Sequence, residues 1–245
     1  MADKLAKYRE VWKNKKILKL AYFDWYKKIL KDLKNGCGKT VELGAGTGNF
    51  KEYKPDTISS DIEKCDWLDM SFDAHKMPFS EYSISNIVMI DVLHHLSNPV
   101  KFFQEAIRVL KKRGRILIVE PYPSLFSLFV YKKFHPEPFL MNMDYFADIP
   151  EKQKDPWQSN QAISYLLFFK HKRKFLEKFG NDLKVIKIKK MSFLLYPLSG
   201  GFENKSLAPD FMIPILKIME IFLTPFRKFL AFRCYVVLEK ITDKI

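Results

Sequence analysis

Apolar and charged residues alternate at helical spacing over the first part of the chain, from Lys4 to Leu33. Aromatic and aliphatic side chains recur every three or four positions, and lysines fill many of the positions between them. The clearest part of this apolar stripe comprises Trp25, Tyr26, Ile29, Leu30 and Leu33. The pattern predicts one or two amphipathic helices that bury their apolar side.

Short apolar runs follow, and they alternate with further helical stretches. The predicted strands are Lys39–Leu43, Thr57–Asp61, Ile84–Asp91, Arg115–Glu120, Leu183–Lys190 and Cys234–Glu239. The predicted helices between them include Pro99–Lys112 and Asn160–Phe179. Strands that alternate with helices are typical of a mostly parallel α/β sheet covered on both faces. Since no linker divides the sequence, residues 1–245 are predicted to form a single domain.

The alternation stops between Glu120 and Asn160. This segment holds six prolines and many aromatic residues. A loop of this length inside one domain is usually a binding segment, and ligands of open α/β sheets bind at the carboxyl ends of strands. Residues 121–158 are therefore predicted to form a lid over a ligand. The alternative is a packed excursion without a ligand role.

Composition narrows the class of protein. With 245 residues, of which 47% are hydrophobic, the chain is long and apolar enough for a large core. Cys37, Cys65 and Cys234 are too few and too scattered for a disulfide framework or a zinc site. We therefore expect a reducing, cytoplasmic location and no metal site. The apolar stretch at 211–223 is interrupted by a proline and two charged residues, so it is too short to span a bilayer.

The net charge of +14 is concentrated in two segments. Residues 1–34 and residues 170–190 each carry a net charge of +7. Basic surfaces of this kind attract nucleic acid, anionic lipid head groups or a phosphorylated substrate. Because 35 of the 42 basic residues are lysines, the alternative is a solvated surface without a specific partner.

The sharpest local signal is a glycine-rich bend directly after the first predicted strand. Three of the nine glycines, Gly44, Gly46 and Gly48, fall within five residues. Glycine permits a positive φ and lets a ligand approach the backbone closely. A dinucleotide fold requires G-x-G-x-x-G, but Asn49 occupies the place of the third glycine. The bend therefore favours a nucleotide-like ligand other than NAD or FAD.

Two acidic residues that could bind a ligand follow this bend along the chain. Asp61 ends the second predicted strand, seventeen residues after Gly44, and a carboxylate at such a place can accept hydrogen bonds from both hydroxyls of a ribose. Asp73 comes next, where an acid could bind the exocyclic amine of an adenine. Aspartate alone is weak support, because it often caps helices and turns. The order of these acids behind the bend is what indicates a nucleoside.

Five segments in this order resemble the class I S-adenosylmethionine-dependent methyltransferases. They are Glu42-Leu43-Gly44-Ala45-Gly46-Thr47-Gly48, then Asp61, then Asp73-Ala74 with Met77-Pro78-Phe79, then Ile90-Asp91-Val92-Leu93-His94-His95-Leu96, and finally Val109-Leu110-Lys111-Lys112-Arg113-Gly114-Arg115 with its strand. The chain is most similar to the small-molecule group that includes the quinone-biosynthesis methyltransferases, over about residues 39 to 120. Residues 111–114 depart from the usual Leu-Lys-Pro-Gly-Gly, which affects a turn and not the pocket.

This resemblance implies a fold. The family has a doubly wound α/β sheet of seven mostly parallel strands in the order 3-2-1-4-5-7-6, with the last strand antiparallel, and Cys234–Glu239 would be that strand. The single domain would then comprise an N-terminal helical extension (1–35), a cofactor-binding core (36–120), the lid insertion (121–158) and the C-terminal half of the sheet (159–245).

The resemblance also implies S-adenosylmethionine as cofactor and S-adenosylhomocysteine as product. Gly44, Ala45 and Gly46 would pass under the methionine and ribose portions. Glu42 would orient the loop and the amino group of the cofactor. Asp91, at the end of the fourth strand, would border its methionine end.

The adenosine half would be held further along the chain. By the same resemblance, Asp61 would hold the ribose and Ile62 would pack on the adenine. Asp73 with Ala74 would bind the amine edge of the base.

The implied reaction is an in-line displacement at the methyl group of a sulfonium. Because the sulfonium is already activated, the protein mainly has to align donor and acceptor and exclude water. A hydroxyl acceptor must also lose its proton, and His94 or His95, just after the fourth strand, would be the base. The alternative is that this pair is a packing feature of the family.

Three classes of function are open for the whole chain. The first is methylation of a small or lipid-linked metabolite such as a sugar, polyprenyl or quinone-type acceptor. Residues 211–232 would then rest on the cytoplasmic face of an anionic membrane, and the alternative is that they form a helix packed on the sheet before the final strand. The second is an RNA or DNA methyltransferase. The lack of an Asn-Pro-Pro-Tyr motif after the fourth strand disfavours exocyclic base amines as targets, but not ribose or ring carbons, and no RNA-binding module is recognisable. The third is a non-catalytic binding module. The oligomeric state is left open.

Overall fold

Residues 2–36, 38–134, 137–146 and 159–242 are described by this computed structural model, and they fold around one twisted sheet. The strands are β1 (Lys39–Leu43), β2 (Ile58–Asp61), β3 (Met70–Ser71), β4 (Ile84–Ile90), β5 (Leu110–Pro121), β6 (Leu183–Met191) and β7 (Arg233–Lys240). The helices are α1 (Ala2–Asn14), α2 (Lys16–Asp32), α3 (Pro99–Val109), α4 (Leu125–Phe134), α5 (Ile163–Tyr165), α6 (Lys172–Phe179), α7 (Leu195–Ser199), α8 (Ile213–Phe222) and α9 (Arg227–Leu230). Cys37 lies outside the described residues, as do residues 135–136 and 147–158 of the predicted lid.

The order of the strands confirms the predicted topology. Within the described residues, seven strands form one sheet in the order β3-β2-β1-β4-β5-β7-β6. The strands from β3 to β5 run parallel to one another. Strand β7 lies between β5 and β6 and is antiparallel to both.

Two predicted boundaries near the middle of the chain were wrong. Helix α3 ends at Val109 instead of Lys112, because β5 already begins at Leu110. Strand β5 pairs with β4 from Leu110, then bulges before the regular pairing resumes at Arg115. The residues of this bulge include the charged run 111–113, which interrupts the apolar pattern by which the start of the strand could be predicted. The two-residue strand β3 had no predicted counterpart.

The predicted helix Asn160–Phe179 is interrupted. A π-helical segment, Leu166–Lys170, follows α5, and α6 begins after His171. The backbone N–H of His171 donates to the carbonyl oxygen of Leu166 at 2.8 Å, which closes the wider π-turn. The apolar periodicity continues across this break, so the sequence pattern alone does not reveal it.

Each face of the sheet has its own apolar layer. On one face, phenylalanines of α3 and α6 and of the segment before α6 are buried together, namely Phe102, Phe103, Phe168, Phe175 and Phe179. On the other face, α2 buries Trp25, Tyr26 and Ile29 against strand residues that include Val88 and Leu117. The predicted amphipathic N-terminal region is therefore a structural layer of the sheet, divided into two helices at Lys15.

The strand directions bring several chain segments to one edge. The carboxyl ends of β1, β2, β4 and β5 meet there. Because β7 runs in the opposite direction, its first residue, Arg233, lies opposite Pro121, at the end of β5. Ligands of open α/β sheets bind at this edge, and the residues that line it form the candidate site.

Candidate functional site

The glycine-rich bend joins β1 to the next turn and is tied to β2 by backbone bonds. Ala45 donates its N–H to the carbonyl of Ser60 at 2.8 Å, and the N–H of Gly48 donates to the carbonyl of Ala45 at 2.8 Å. Gly44 has a φ of 60°, and a Cβ atom added there would lie 2.4 Å from a methyl of Val92. Neither the backbone angle nor the space tolerates a larger side chain at this position.

Asp61, at the end of β2, holds the bend from the side. Its carboxylate accepts hydrogen bonds from the N–H of Gly46 at 2.9 Å and from the N–H of Glu63 at 3.1 Å. Burial raises the pKa of Asp61, although these N–H groups act in the opposite direction. The orientation of the Asp61 carboxylate is therefore fixed by the glycine-rich bend before a ribose binds to it.

Glu42 lies beneath the bend and is fully buried. Burial, and secondly the charge of Asp61, raise the pKa of Glu42 to about 8. Among the described residues its Oε2 atom has no hydrogen-bond partner, although buried carboxylate oxygens are normally paired. The arrangement suits a cationic or hydrogen-donating ligand group, such as the ammonium of the methionine portion.

Three predicted adenosine-binding residues line the next part of the wall. Ile62 exposes half of its surface, which offers an apolar face to a ligand. The carboxylate of Asp73 accepts hydrogen bonds from the backbone N–H of His75 at 2.8 Å and contacts its imidazole Nδ1 at 2.6 Å. Ala74 lies beside them on the same cavity. The side chain of Asp73 is thus held by its own turn and remains partly exposed.

Asp91 has the positive φ of 57° that few residues other than glycine adopt. It follows β4, and its carboxylate accepts a long hydrogen bond of 3.3 Å from the guanidinium of Arg233. Burial raises the pKa of Asp91, and the charge of Arg233 opposes that rise. Arg233 also donates to the hydroxyl of Tyr131 at 2.6 Å and lies over the ring of Tyr196. A buried ion pair surrounded by tyrosines therefore borders this part of the cavity.

His94 is fixed by a buried carboxylate. Its Nδ1 atom lies 2.6 Å from Oε2 of Glu120, at the end of β5. The other oxygen of Glu120 accepts hydrogen bonds from the N–H groups of Val92 and Leu93, at 2.8 and 2.7 Å. Burial opposes the charged imidazolium, but the carboxylates of Glu120, Asp91 and Glu137 together outweigh it and raise the pKa of His94. This is the arrangement in which a carboxylate orients a histidine for proton transfer.

His95 and Glu137 complete this end of the cavity. The imidazoles of His94 and His95 have their centroids 4.2 Å apart, and Nε2 of His94 lies 3.6 Å from a carboxylate oxygen of Glu137. Polar atoms of the three side chains lie within 4.8 Å of one another. Two imidazoles and a carboxylate this close together could share a proton or hold a divalent cation, although the scattered cysteines of the sequence predicted no metal site.

A further part of the cavity wall comes from α1 and from residues 196–204. We use the word cover for α1 together with residues 196–204. The ring of Tyr8 stacks on that of Phe202 with centroids 5.1 Å apart, and its hydroxyl donates to Glu203 at 2.6 Å. The ammonium of Lys15 donates to the carbonyls of Gly201 and Asn204, at 2.6 Å each. The N-terminal helices therefore form part of the site as well as a layer of the sheet.

One cavity of about 1290 Å³ collects these groups. It is lined by every residue predicted for the site, namely Glu42, Gly44, Ala45, Gly46, Asp61, Ile62, Asp73, Ala74, Asp91, His94 and His95. Tyr131 and Glu137 come from the predicted lid but had no predicted role of their own. Further groups had no prediction at all, namely Tyr8, Glu120, Tyr196 and Arg233. Glu120 had a signal, since it ends a strand next to the histidine pair in the sheet. The others depend on contacts between distant segments.

Of the lid predicted at 121–158, the described residues include α4, which contributes Val130 and Tyr131 to the cavity wall. Glu137 adds a polar group from the same insertion. The insertion therefore reaches the cavity, but the cover shares the role that the sequence analysis gave to the insertion alone.

Comparisons with known proteins agree with this geometry. Residues 41–118 match the family described as methyltransferase domain. An uncharacterised protein of Methanocaldococcus jannaschii is 32% identical over 107 residues, which is 38% of this chain and 50% of that protein. The chain thus spans about half the length of this relative.

Solved structures share the fold at low sequence identity. A methyltransferase of Archaeoglobus fulgidus that depends on S-adenosylmethionine superposes with a TM-score of 0.53 at 16% identity, covering 89% of this chain and 91% of that one. Another, from Thermotoga maritima, gives a TM-score of 0.53 at 14% identity, covering 92% and 91%.

Residues 41–118 therefore match a methyltransferase domain, and the described residues have the fold of solved methyltransferases that depend on S-adenosylmethionine. The fold confirms the prediction from sequence, and the match over residues 41–118 supports the predicted family. The individual site residues stay predictions, now with a common location.

Proposed function

We propose that the chain transfers a methyl group from S-adenosylmethionine to an oxygen of a small or lipid-linked, largely apolar acceptor. The cavity of about 1290 Å³ supports this proposal, since pockets for one small molecule usually measure about 300 to 1,000 Å³. It has room for the cofactor and for a second molecule beside it.

The observation that carries the proposal is the His94–Glu120 pair on the wall that also holds the glycine-rich bend. Because Nδ1 of His94 faces the Glu120 carboxylate, the proton of a neutral imidazole belongs on Nδ1. Nε2 is then the basic atom, and it can accept the proton of an acceptor hydroxyl. Glu120 stabilises the imidazolium that forms.

The cofactor would be held by the residues around the glycine-rich bend. Asp61 would bind the ribose hydroxyls, and Glu42 with Asp91 would face the ammonium of the methionine portion. When bound, the cofactor supplies a methyl group on a sulfonium, which needs no further activation. The chain has to place the acceptor oxygen in line with that methyl group and to keep water out.

The lining of the cavity suits an apolar acceptor. It includes the rings of Tyr8, Tyr131, Tyr196 and Phe202, which exclude water, and the tyrosines add hydroxyl groups for orientation. The guanidinium of Arg233 is engaged by Asp91, Tyr131 and Tyr196, so its positive charge is already balanced. These features favour an aromatic, isoprenoid or sugar-lipid acceptor over a highly charged one.

The test is transfer of a labelled methyl group into cell extracts that have been separated into small molecules, lipids, RNA and protein. We expect label in the small-molecule or lipid fraction. Label in RNA would support the nucleic-acid alternative and contradict the proposal. Binding of S-adenosylhomocysteine without label in any fraction would support the non-catalytic alternative.

The role of His94 is tested by His94→Ala. Loss of a general base is expected to lower turnover by about 10² or more, while calorimetry shows unchanged affinity for S-adenosylhomocysteine. His171→Ala is the matched control, since His171 lies at the start of α6 and does not line the cavity. Full activity of His94→Ala would refute the base. Activity that a chelator abolishes in the unaltered protein would assign the histidines to a metal ion instead.

A further inference from the structure

The outer surface of α8 is apolar, although helices of this kind normally turn their polar side to solvent. Ile213 and Leu216 are buried against the protein. Phe211, Ile215, Ile218 and Phe222 are exposed, and they recur at helical spacing on the opposite side. Phe211 and Phe222 expose 79% and 73% of their surface. The helix is thus apolar on both sides.

Two neighbouring elements extend this surface. The segment after α8 exposes Phe226 and Phe229. Helix α4 packs against α9 and exposes Leu125, Phe126 and Phe129. We call the exposed side chains of α4, of α8 with Phe211, and of residues 224–230 the apolar surface. Exposed apolar patches of this extent usually mark an interaction site.

The charges around the apolar surface are mainly positive, although Asp210, directly before Phe211, is exposed. Residues 211–232 contain Lys217, Arg227 and Lys228 but a single acid, Glu220. Glu220 turns inwards, where its carboxylate accepts hydrogen bonds from the N–H groups of residues 193–195 at 2.8 to 3.2 Å. Arg227 and Lys228 are exposed. Helix α4 adds two exposed lysines at 132 and 133 and no acid.

We propose that the apolar surface docks on an anionic lipid bilayer, with the phenylalanines and isoleucines in the headgroup region and the basic residues on the phosphates. Amphipathic helices bind membranes in this way, by apolar burial together with attraction to anionic lipid. Among the described residues, no helix combines the length and the apolar character that crossing a bilayer requires, so the contact is along the surface. A second copy of the chain is a poorer occupant, because each copy carries a net charge of +14.

The position of the apolar surface connects it to the cavity. Helix α4 exposes Phe129 on one side and gives Val130 and Tyr131 to the cavity wall. Tyr131 donates a hydrogen bond to the carbonyl of Phe232, directly after α9. A lipid-linked acceptor in the bilayer would therefore be close to the site. This delivery role rests on the proposed function, whereas the docking itself does not.

Flotation of the full chain with lipid vesicles tests the docking. One set of vesicles is phosphatidylcholine alone, and the other contains phosphatidylglycerol as a quarter of the lipid. We expect the chain to float with the anionic set and much less with the neutral set. Raising the salt concentration should weaken binding without abolishing it, since salt screens the charges and leaves the apolar burial.

Substitutions locate the contact. The double variant Ile218→Ser, Phe222→Ser is expected to reduce vesicle binding by about tenfold or more. Leu176→Ser with Ile186→Ser is the matched control, since these two exposed apolar residues lie on α6 and β6. Calorimetry with S-adenosylhomocysteine should give the same affinity for both double variants, which shows that the fold and the cofactor site are intact.

Three results would overturn the docking: no flotation with anionic vesicles at low salt, equal loss in the control variant, or a dimer in solution that Ile218→Ser, Phe222→Ser dissociates. The last result would assign the apolar surface to a second copy. The proposed function can fail independently of the docking. In that case the chain still floats with anionic vesicles, but it binds no cofactor or transfers no methyl group.

Discussion

The two sides of the cavity are held by different kinds of contact. At the glycine-rich bend, backbone groups bond to one another and to the partly buried carboxylate of Asp61. On the cover, side chains join segments that are far apart in sequence, as in the exposed Tyr8–Glu203 bond between residues 195 positions apart. The backbone bonds keep the first side rigid, whereas an exposed bond such as Tyr8–Glu203 costs little to break. Under the proposed function, the cofactor would meet a preformed surface and the cover would admit the acceptor.

The largest expected effect lies on the rigid side. Asp61→Ala removes the acceptor for the N–H of Gly46 and the predicted partner of the ribose hydroxyls. Hydrogen bonds to a charged group contribute about 1.5 to 3 kcal/mol each, so affinity for S-adenosylhomocysteine should fall by about 10² or more in calorimetry.

Asp56→Ala is the control for this substitution, because the carboxylate of Asp56 is exposed and pairs with Lys54. It should leave the affinity unchanged. An affinity of Asp61→Ala within about threefold of the unaltered chain would show that the bend holds its shape and its ligand without this carboxylate.

A smaller effect is expected from pH. Since burial raises the pKa of Glu42 to about 8, the carboxyl is largely protonated at neutral pH in the empty site. A cationic cofactor favours the ionised form, so binding should release a proton, and affinity should rise from about pH 6 to about pH 8 by up to about tenfold per unit.

Calorimetry in buffers of different ionisation enthalpy measures this proton release directly. Glu42→Gln should remove the pH dependence at the same temperature and salt concentration. A proton release that persists in Glu42→Gln would place the titrating group elsewhere in the site.

The smallest effect is expected on the cover. Tyr8→Phe removes an exposed bond to Glu203, and exposed charged contacts are worth about 0 to 1 kcal/mol. Cofactor affinity should fall by about threefold or less, while the amides of α1 exchange with solvent faster. Tyr165→Phe, on the other face of the sheet, should change neither. A loss comparable to that of Asp61→Ala would show that the cover binds the cofactor and is not a gate.

The contrast between the two sides also explains which parts of the site could be predicted from the sequence. Every part of the rigid side is local: a strand, a bend and an acid follow one another along the chain, so Gly44, Asp61 and Asp73 could be assigned to one ligand. The strand order was implied by the family resemblance that these local segments carry. Strand β3 escaped detection because two residues carry no periodicity, and the bulge after Leu110 disguised the start of β5.

The cover and the far wall could not be predicted in this way. Arg233 reaches Asp91 across 142 residues, and Tyr131 reaches Phe232 across 101. Such contacts depend on the sheet being assembled, and no spacing in the sequence records them. The outer side of α8 is an intermediate case. The sequence predicted a membrane contact for residues 211–232, and their exposure is seen in the folded chain. The inward direction of Glu220, whose carboxylate accepts hydrogen bonds from residues 193–195, could not be predicted.

The reversed direction of β7 has a consequence for biosynthesis. Its first residue, Arg233, completes the far wall, and its last, Lys240, donates to the carbonyls of Ile107 and Leu110 at 2.6 and 2.8 Å. On the ribosome, the glycine-rich bend emerges long before either residue does. A nascent chain arrested before Arg233 would hold the parallel strands with a wall still missing. Binding of S-adenosylhomocysteine to chains arrested at increasing lengths would therefore show at which length this wall is completed during translation.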